Sequence, residues 1–139
     1  MKFLLIAMTF LLFGCVQKTS VQNNDEFRQE EFNDFFSKFT SDSLFQLERT
    51  KFPFVIKIWV VDDEMRMKKI AKDDWKFLSF DYKEEYGTRK LDAYTQRTKI
   101  FPDSAKIELR GVDCGIYVDF LFFNEAGRWF MTSESDYSN

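Results

Sequence analysis

Asp119 is the only charged residue in the stretch Gly115–Phe123, G-I-Y-V-D-F-L-F-F. An acid set among apolar residues is a candidate for proton transfer, because loss of surrounding water moves its pKa toward the working range. Tyr117 sits two positions away on the same strand face, and Tyr94 is a further phenol. The opposing reading puts Asp119 on an outer sheet face, paired with Arg110 or Arg128 on a neighbouring strand, as cross-strand opposite charges commonly are. Other reactive sets are thin. The chain has no histidine, which removes a Ser-His-Asp triad and most zinc sites. Cys114 has no base to activate it and reads as a buried structural thiol. Asp62-Asp63-Glu64 lacks the ligand spacing of a calcium loop and reads as a solvated turn. Five scattered glycines build no phosphate cradle. No metal site and no cofactor are expected.

Trp59, Trp75, Tyr117 and Trp129 are the types that line an apolar ligand cavity, with Phe54 and Met131 as neighbours; Lys57 beside Trp59 reads as a solvated strand residue, with a polar anchor as the alternative. Ordinary packing competes with the cavity reading, because 15 of the 18 phenylalanines lie beyond residue 14 and must be buried somewhere.

Cys15 carries a different chemistry. Met1-Lys2 precedes an apolar run from Phe3 to Phe13, then Gly14-Cys15. A short basic start, a brief apolar run and L-F-G-C before the cut (Leu12 to Cys15) form a bacterial lipoprotein signal. The run is about half of the roughly 20 residues that span a bilayer. Cleavage before Cys15 leaves a lipidated N-terminus, and acyl chains contribute roughly 0.8 kcal/mol per buried methylene. The expected organisation is a signal over 1–14, lipidated Cys15 and a polar tether to residue 25, and one domain over 26–139. The expected location is the bacterial cell envelope, periplasmic or on the outer-membrane surface, with the membrane engaged through the lipid. Only Lys2 among the charges lies in the signal, so the rest carries 19 basic and 23 acidic residues. That mild acidity gives no nucleic-acid footprint and no polybasic membrane patch. With Cys15 assigned to lipid, Cys114 has no disulfide partner.

The elements that must position these residues follow from periodicity. Phe32, Phe35, Phe36 and Phe39 share one face of a helix, with Asp25, Glu26 and Glu30 near its positive end. Ser43-Leu44-Phe45-Gln46 has the form of a capping box and predicts a short second helix burying Leu44 and Leu47. Pro53 ends it. Phe54–Val61 is a strand, Asp62–Glu64 its turn, and Met65–Ala71 an antiparallel partner with one wet face, a helix being the rival reading because M-R-M-K-K-I holds good helix formers. Lys72–Leu78 reads as a short helix that packs Trp75 and Leu78 under the sheet. Leu91–Phe101 and Ala105–Val112 are strands, with Gly111 a bulge. Gly115–Phe123 and Arg128–Ser133 form a hairpin about Asn124–Gly127, and the tail E-S-D-Y-S-N reads as frayed. The fold class is α+β: N-terminal helices packed on a curved, mostly antiparallel sheet of about five or six strands.

The combination of E-F-N-D-F-F-S-K-F, D-S-L-F-Q-L-E-R-T-K-F-P, I-K-I-W and K-D-D-W resembles a group of lipoproteins of Bacteroides-like bacteria with no assigned function. The F-Q-x-x-R-x-x-F-P segment (Phe45 to Pro53) is the most specific part. Members of that group are similar in fold to nuclear-transport-factor-2-like (NTF2-like) proteins, a cone-shaped α+β class, and G-R-W-F-M-T-S-E looks like its last strand. The resemblance spans about Phe27 to Tyr137 and implies a fold without a reaction. In isomerases of the class an apolar-pocket acid moves a proton while tyrosine or a protonated acid holds the oxyanion, roles that Asp119 and Tyr117 could fill here. Three readings follow: a non-enzymatic envelope domain binding a small apolar ligand or a partner protein; a cofactor-independent isomerase or dehydratase; a structural interaction module. By analogy with the class, a homodimer through the outer sheet face is expected.

Overall fold

The structure is a computed structural model and describes residues 29–60 and 64–138. The signal, Cys15, the tether and the turn residues Asp62 and Asp63 lie outside the described residues.

Two helices come first, α1 (Phe32–Ser41) and α2 (Ser43–Glu48). Six strands follow: β1 (Thr50–Trp59), β2 (Met65–Ile70), β3 (Tyr94–Ile100), β4 (Ser104–Gly111), β5 (Tyr117–Glu125) and β6 (Arg128–Asp136). They form one sheet in the order β2-β1-β6-β5-β4-β3. Every neighbouring pair is antiparallel except β1 with β6, which run parallel. The last strand therefore lies in the middle of the sheet. Register slips between Leu121 and Phe122 and between Thr50 and Val55 mark bulges, which bend the strands over the helices.

The predicted stripe of α1 holds: Phe32, Phe35 and Phe39 are buried and Phe36 packs against them. All four rings surround Phe122 of β5, with centroids 5.5–6.0 Å from it and edge-on or nearly so. Edge-to-face geometry is the preferred arrangement of aromatic rings. Trp129, Met131, Phe54, Ile107 and Phe120 complete the core beneath the helices.

Several local expectations are corrected. The α2 cap is Asp42, whose carboxylate accepts from the Leu44 and Phe45 amides at 3.0 Å each. Ser43 is the first helical residue, and Gln46, expected to reach back to it, is fully buried instead. Gln46 donates to the carbonyls of Phe39 and Leu78 and accepts from the Leu78 amide at 2.7 Å. Leu44 is exposed rather than buried. Lys72–Leu78 makes only a 3-10 turn at Lys72–Asp74. Trp75 then turns in to pack on Phe52 and Phe54 at 5.4 and 5.1 Å, and Gln46 holds both backbone groups of Leu78, so no helix continues. Cys114 is exposed, although its Sγ lies 3.2 Å from the Ala93 carbonyl. The tail is not frayed: Glu134, Ser135 and Asp136 pair with β1 on one side and β5 on the other.

Candidate functional site

Alternation along the strands sends side chains to two faces of the sheet. Val118, Phe120 and Phe122 face the helices, so Tyr117, Asp119 and Leu121 face outward. Across β4, Glu108 stands opposite Asp119 and Arg110 opposite Tyr117. Arg110 Nη2 donates to Asp119 Oδ1 at 2.6 Å and Lys106 Nζ to Asp119 Oδ2 at 3.2 Å. Lys99 Nζ donates to Glu108 Oε1 at 2.9 Å. The hydrogen bond from Lys99 holds the Glu108 carboxyl below its usual pKa, against the opposing effect of burial. Burial disfavours the charge on Lys106, but its bonds to Asp119 and Glu108 outweigh that and raise its pKa. The Arg110 guanidinium covers the Tyr117 ring at 3.7 Å.

Asp119 and Tyr117 therefore belong to a charge ladder on the outer face, and the structure keeps both away from the helix-side space that proton transfer requires. Arg110, not Arg128, is the partner. Trp59 lies on the same outer face, stacked on Tyr137 at 5.4 Å. Trp129 is buried in the core, its Nε1 donating to the Glu30 carbonyl at 2.8 Å. Tyr94 sits at the far sheet edge against Tyr82 and Tyr86; burial, with Tyr86 next, raises its pKa. Of the four residues expected to line a cavity, Tyr117 borders an open recess with Cys114 and Tyr137 on the far side of the sheet, and Trp75 lines a helix-side cavity.

That cavity is a half-open space of about 390 Å³ on the helix-side face, where β1 and β2 meet the segment after the 3-10 turn. Phe54, Ile56, Ile70, Trp75 and Leu78 make its apolar wall. Its volume lies within the usual range for small-molecule sites, about 300–1,000 Å³. Two polar groups there have no partner among the described residues. The Trp75 Nε1–H is buried and has no acceptor among the described residues, although buried indole N–H groups usually find one. Glu134, placed on the helix side by its register opposite Phe120 and Ile56, makes no hydrogen bond or ion pair among the described residues. Burial, helped by Asp136 and opposed by Lys68, raises its pKa. Lys68, Lys69, Lys76 and Asp74 complete the lining. No cluster of acidic or thiol side chains able to hold a metal occurs among the described residues.

Glu134 is the residue that pattern reading missed. Strict alternation from Trp129 and Met131 continues to Ser133 and Ser135; only the extra residue Thr132, between the pairs Phe122–Met131 and Leu121–Ser133, brings Glu134 round to the face of Ile56 and Phe120.

A family model matches residues 30–138. Among solved structures, the chain is similar to a cystatin-like protein from Bacteroides caccae (TM-score 0.56, 24% identity, 79% of this chain and 76% of that one). It is also similar to a protein from Bacteroides uniformis (TM-score 0.55, 22% identity, 80% and 78%). An NTF2-like protein from Bacteroides fragilis matches with TM-score 0.55 and 19% identity over 80% of this chain, which spans about half, 48%, of that protein. No curated protein matches.

Proposed function

We propose that this chain, whose residues 30–138 match a family model and whose fold is that of NTF2-like and cystatin-like proteins from Bacteroides, is a non-enzymatic binding domain for a small apolar ligand. The observation that carries this reading is the cavity of about 390 Å³ walled by Phe54, Ile56, Ile70, Trp75 and Leu78. Few polar groups placed in an apolar concavity fix a ligand's orientation, and Trp75 Nε1 and Glu134 are such groups. With Asp119 and Tyr117 engaged on the outer face, the isomerase reading lacks the residues first considered for it. The domain is held at the bacterial cell envelope by lipid on Cys15, a reading supported by the L-F-G-C box.

Two measurements test the proposal. Titration with a neutral apolar fluorophore should give saturable binding that Ile56→Trp, which fills the cavity, removes while circular dichroism stays unchanged. Binding that survives in this variant would place the ligand elsewhere. Incorporation of radiolabelled palmitate into the expressed chain, lost in Cys15→Ala, tests the anchor; equal labelling of both would remove it.

A further inference from the structure

The cavity wall is apolar, but its mouth is not. Lys68 lies on β2, the edge strand, and stands opposite Ile56 of the wall. Lys69 follows it, and Lys76 comes from the segment after Trp75. None of the three makes a hydrogen bond or an ion pair among the described residues. The two acids of the lining are placed differently. Asp74 is exposed at the rim, whereas Glu134 is half-buried on the sheet.

The groups facing Glu134 are Asp136 on its own strand, Lys68 on β2, and Asp74 and Lys76 across the cavity; Phe120 and Ile56 flank it. We infer that the cavity takes an anionic amphiphile, whose apolar chain lies on the Phe54–Ile56–Ile70–Leu78 wall and whose head meets Lys68 and Lys76. The inference rests on the binding reading above and adds the ligand class.

Three observations support it. Two uncommitted cations, Lys68 and Lys76, stand at the mouth beside one exposed acid, Asp74. The apolar wall and the charged mouth are adjacent, as an amphiphile requires. Glu134, the group that would repel an anion, sits where burial favours its neutral acid form, and a chain laid over it removes still more water.

The test compares dodecanoate, dodecanol and dodecylamine, which share one chain and differ in the head, by calorimetric titration of the full chain in detergent-free buffer. Dodecanoate should bind about fivefold to tenfold tighter than either of the others, the scale that two part-exposed charge contacts support. Lys68→Gln with Lys76→Gln should bring dodecanoate down to the dodecanol affinity and leave dodecanol unchanged. Glu134→Gln should leave dodecanoate binding intact or tighter. Equal binding of all three, a preference for the amine, or loss of dodecanoate binding in Glu134→Gln would overturn the anionic class while leaving a binding cavity. Failure of all three probes, with the neutral fluorophore also failing to bind, would overturn the cavity reading itself.

Discussion

Arg49 grips Glu30 with both arms of its guanidinium, Nη1 to Oε2 at 3.0 Å and Nη2 to Oε1 at 3.2 Å. The same carboxylate accepts from the Trp129 amide at 3.0 Å, and Arg49 Nη1 also donates to the Trp129 carbonyl at 3.1 Å. Glu30 further donates its own amide to the Gly127 carbonyl. The residue that leads into α1 is thus tied to the β5–β6 turn and to the end of α2. This is a fork-on-fork contact that a point charge cannot reproduce.

Arg49→Met should cost about 3 kcal/mol of stability, the low end for breaking a buried pair, because a quarter of the Glu30 side chain meets water. Arg49→Lys should recover only a minor part, since lysine lacks the planar fork. Adding Glu30→Leu to Arg49→Met should restore much of the loss by removing the stranded carboxylate. Urea unfolding followed by circular dichroism reads all three.

Phe122 is the ring around which α1 is organised. Phe122→Ala should cost about 3–5 kcal/mol, the range for deleting a buried ring in a packed core. Phe123→Ala, one position on and pointing outward with nearly half its surface exposed, should stay within about 0.5 kcal/mol. A similar cost at both positions in denaturant titrations would refute the assignment of faces on β5.

The α1 stripe, the β1–β2 hairpin and the β5 alternation were legible because burial imposes a period on the side chains. The cavity was not, for a physical reason. Central strands are fixed by backbone pairing on both sides, so Glu134-Ser135-Asp136 can be polar and still be strand. Trp75 was found as a cavity residue although its segment was read as a helix, because an indole beside acidic residues needs a wall whatever the backbone does. The F-Q-x-x-R-x-x-F-P segment was legible as specific, and its polar members prove to be structural. Gln46 replaces missing backbone partners at Leu78, and Arg49 closes the Glu30 node.

Glu134 and Glu108 should give opposite pH signatures. The folded-state pKa of Glu134 is raised by burial. Its native form therefore holds the proton more tightly than the unfolded chain does. Stability is favoured below the ordinary carboxylate pKa and declines as pH rises through the interval up to the raised value. Glu134→Gln should raise stability at neutral pH, and the gain should vanish in acid. Glu108 is the reverse. Its pKa is lowered, chiefly by the Lys99 hydrogen bond. Its contribution is present above the ordinary carboxylate pKa and fades as pH falls through the interval down to the lowered value. Glu108→Gln should cost about 1–2 kcal/mol at neutral pH, less than a fully buried pair because Lys99 is half exposed, and almost nothing in strong acid. Guanidinium melts of both variants at about pH 3 and about pH 7 separate the two cases. A stabilising Glu108→Gln or a destabilising Glu134→Gln at neutral pH would reverse the assignment of the paired outer face and the unpaired cavity.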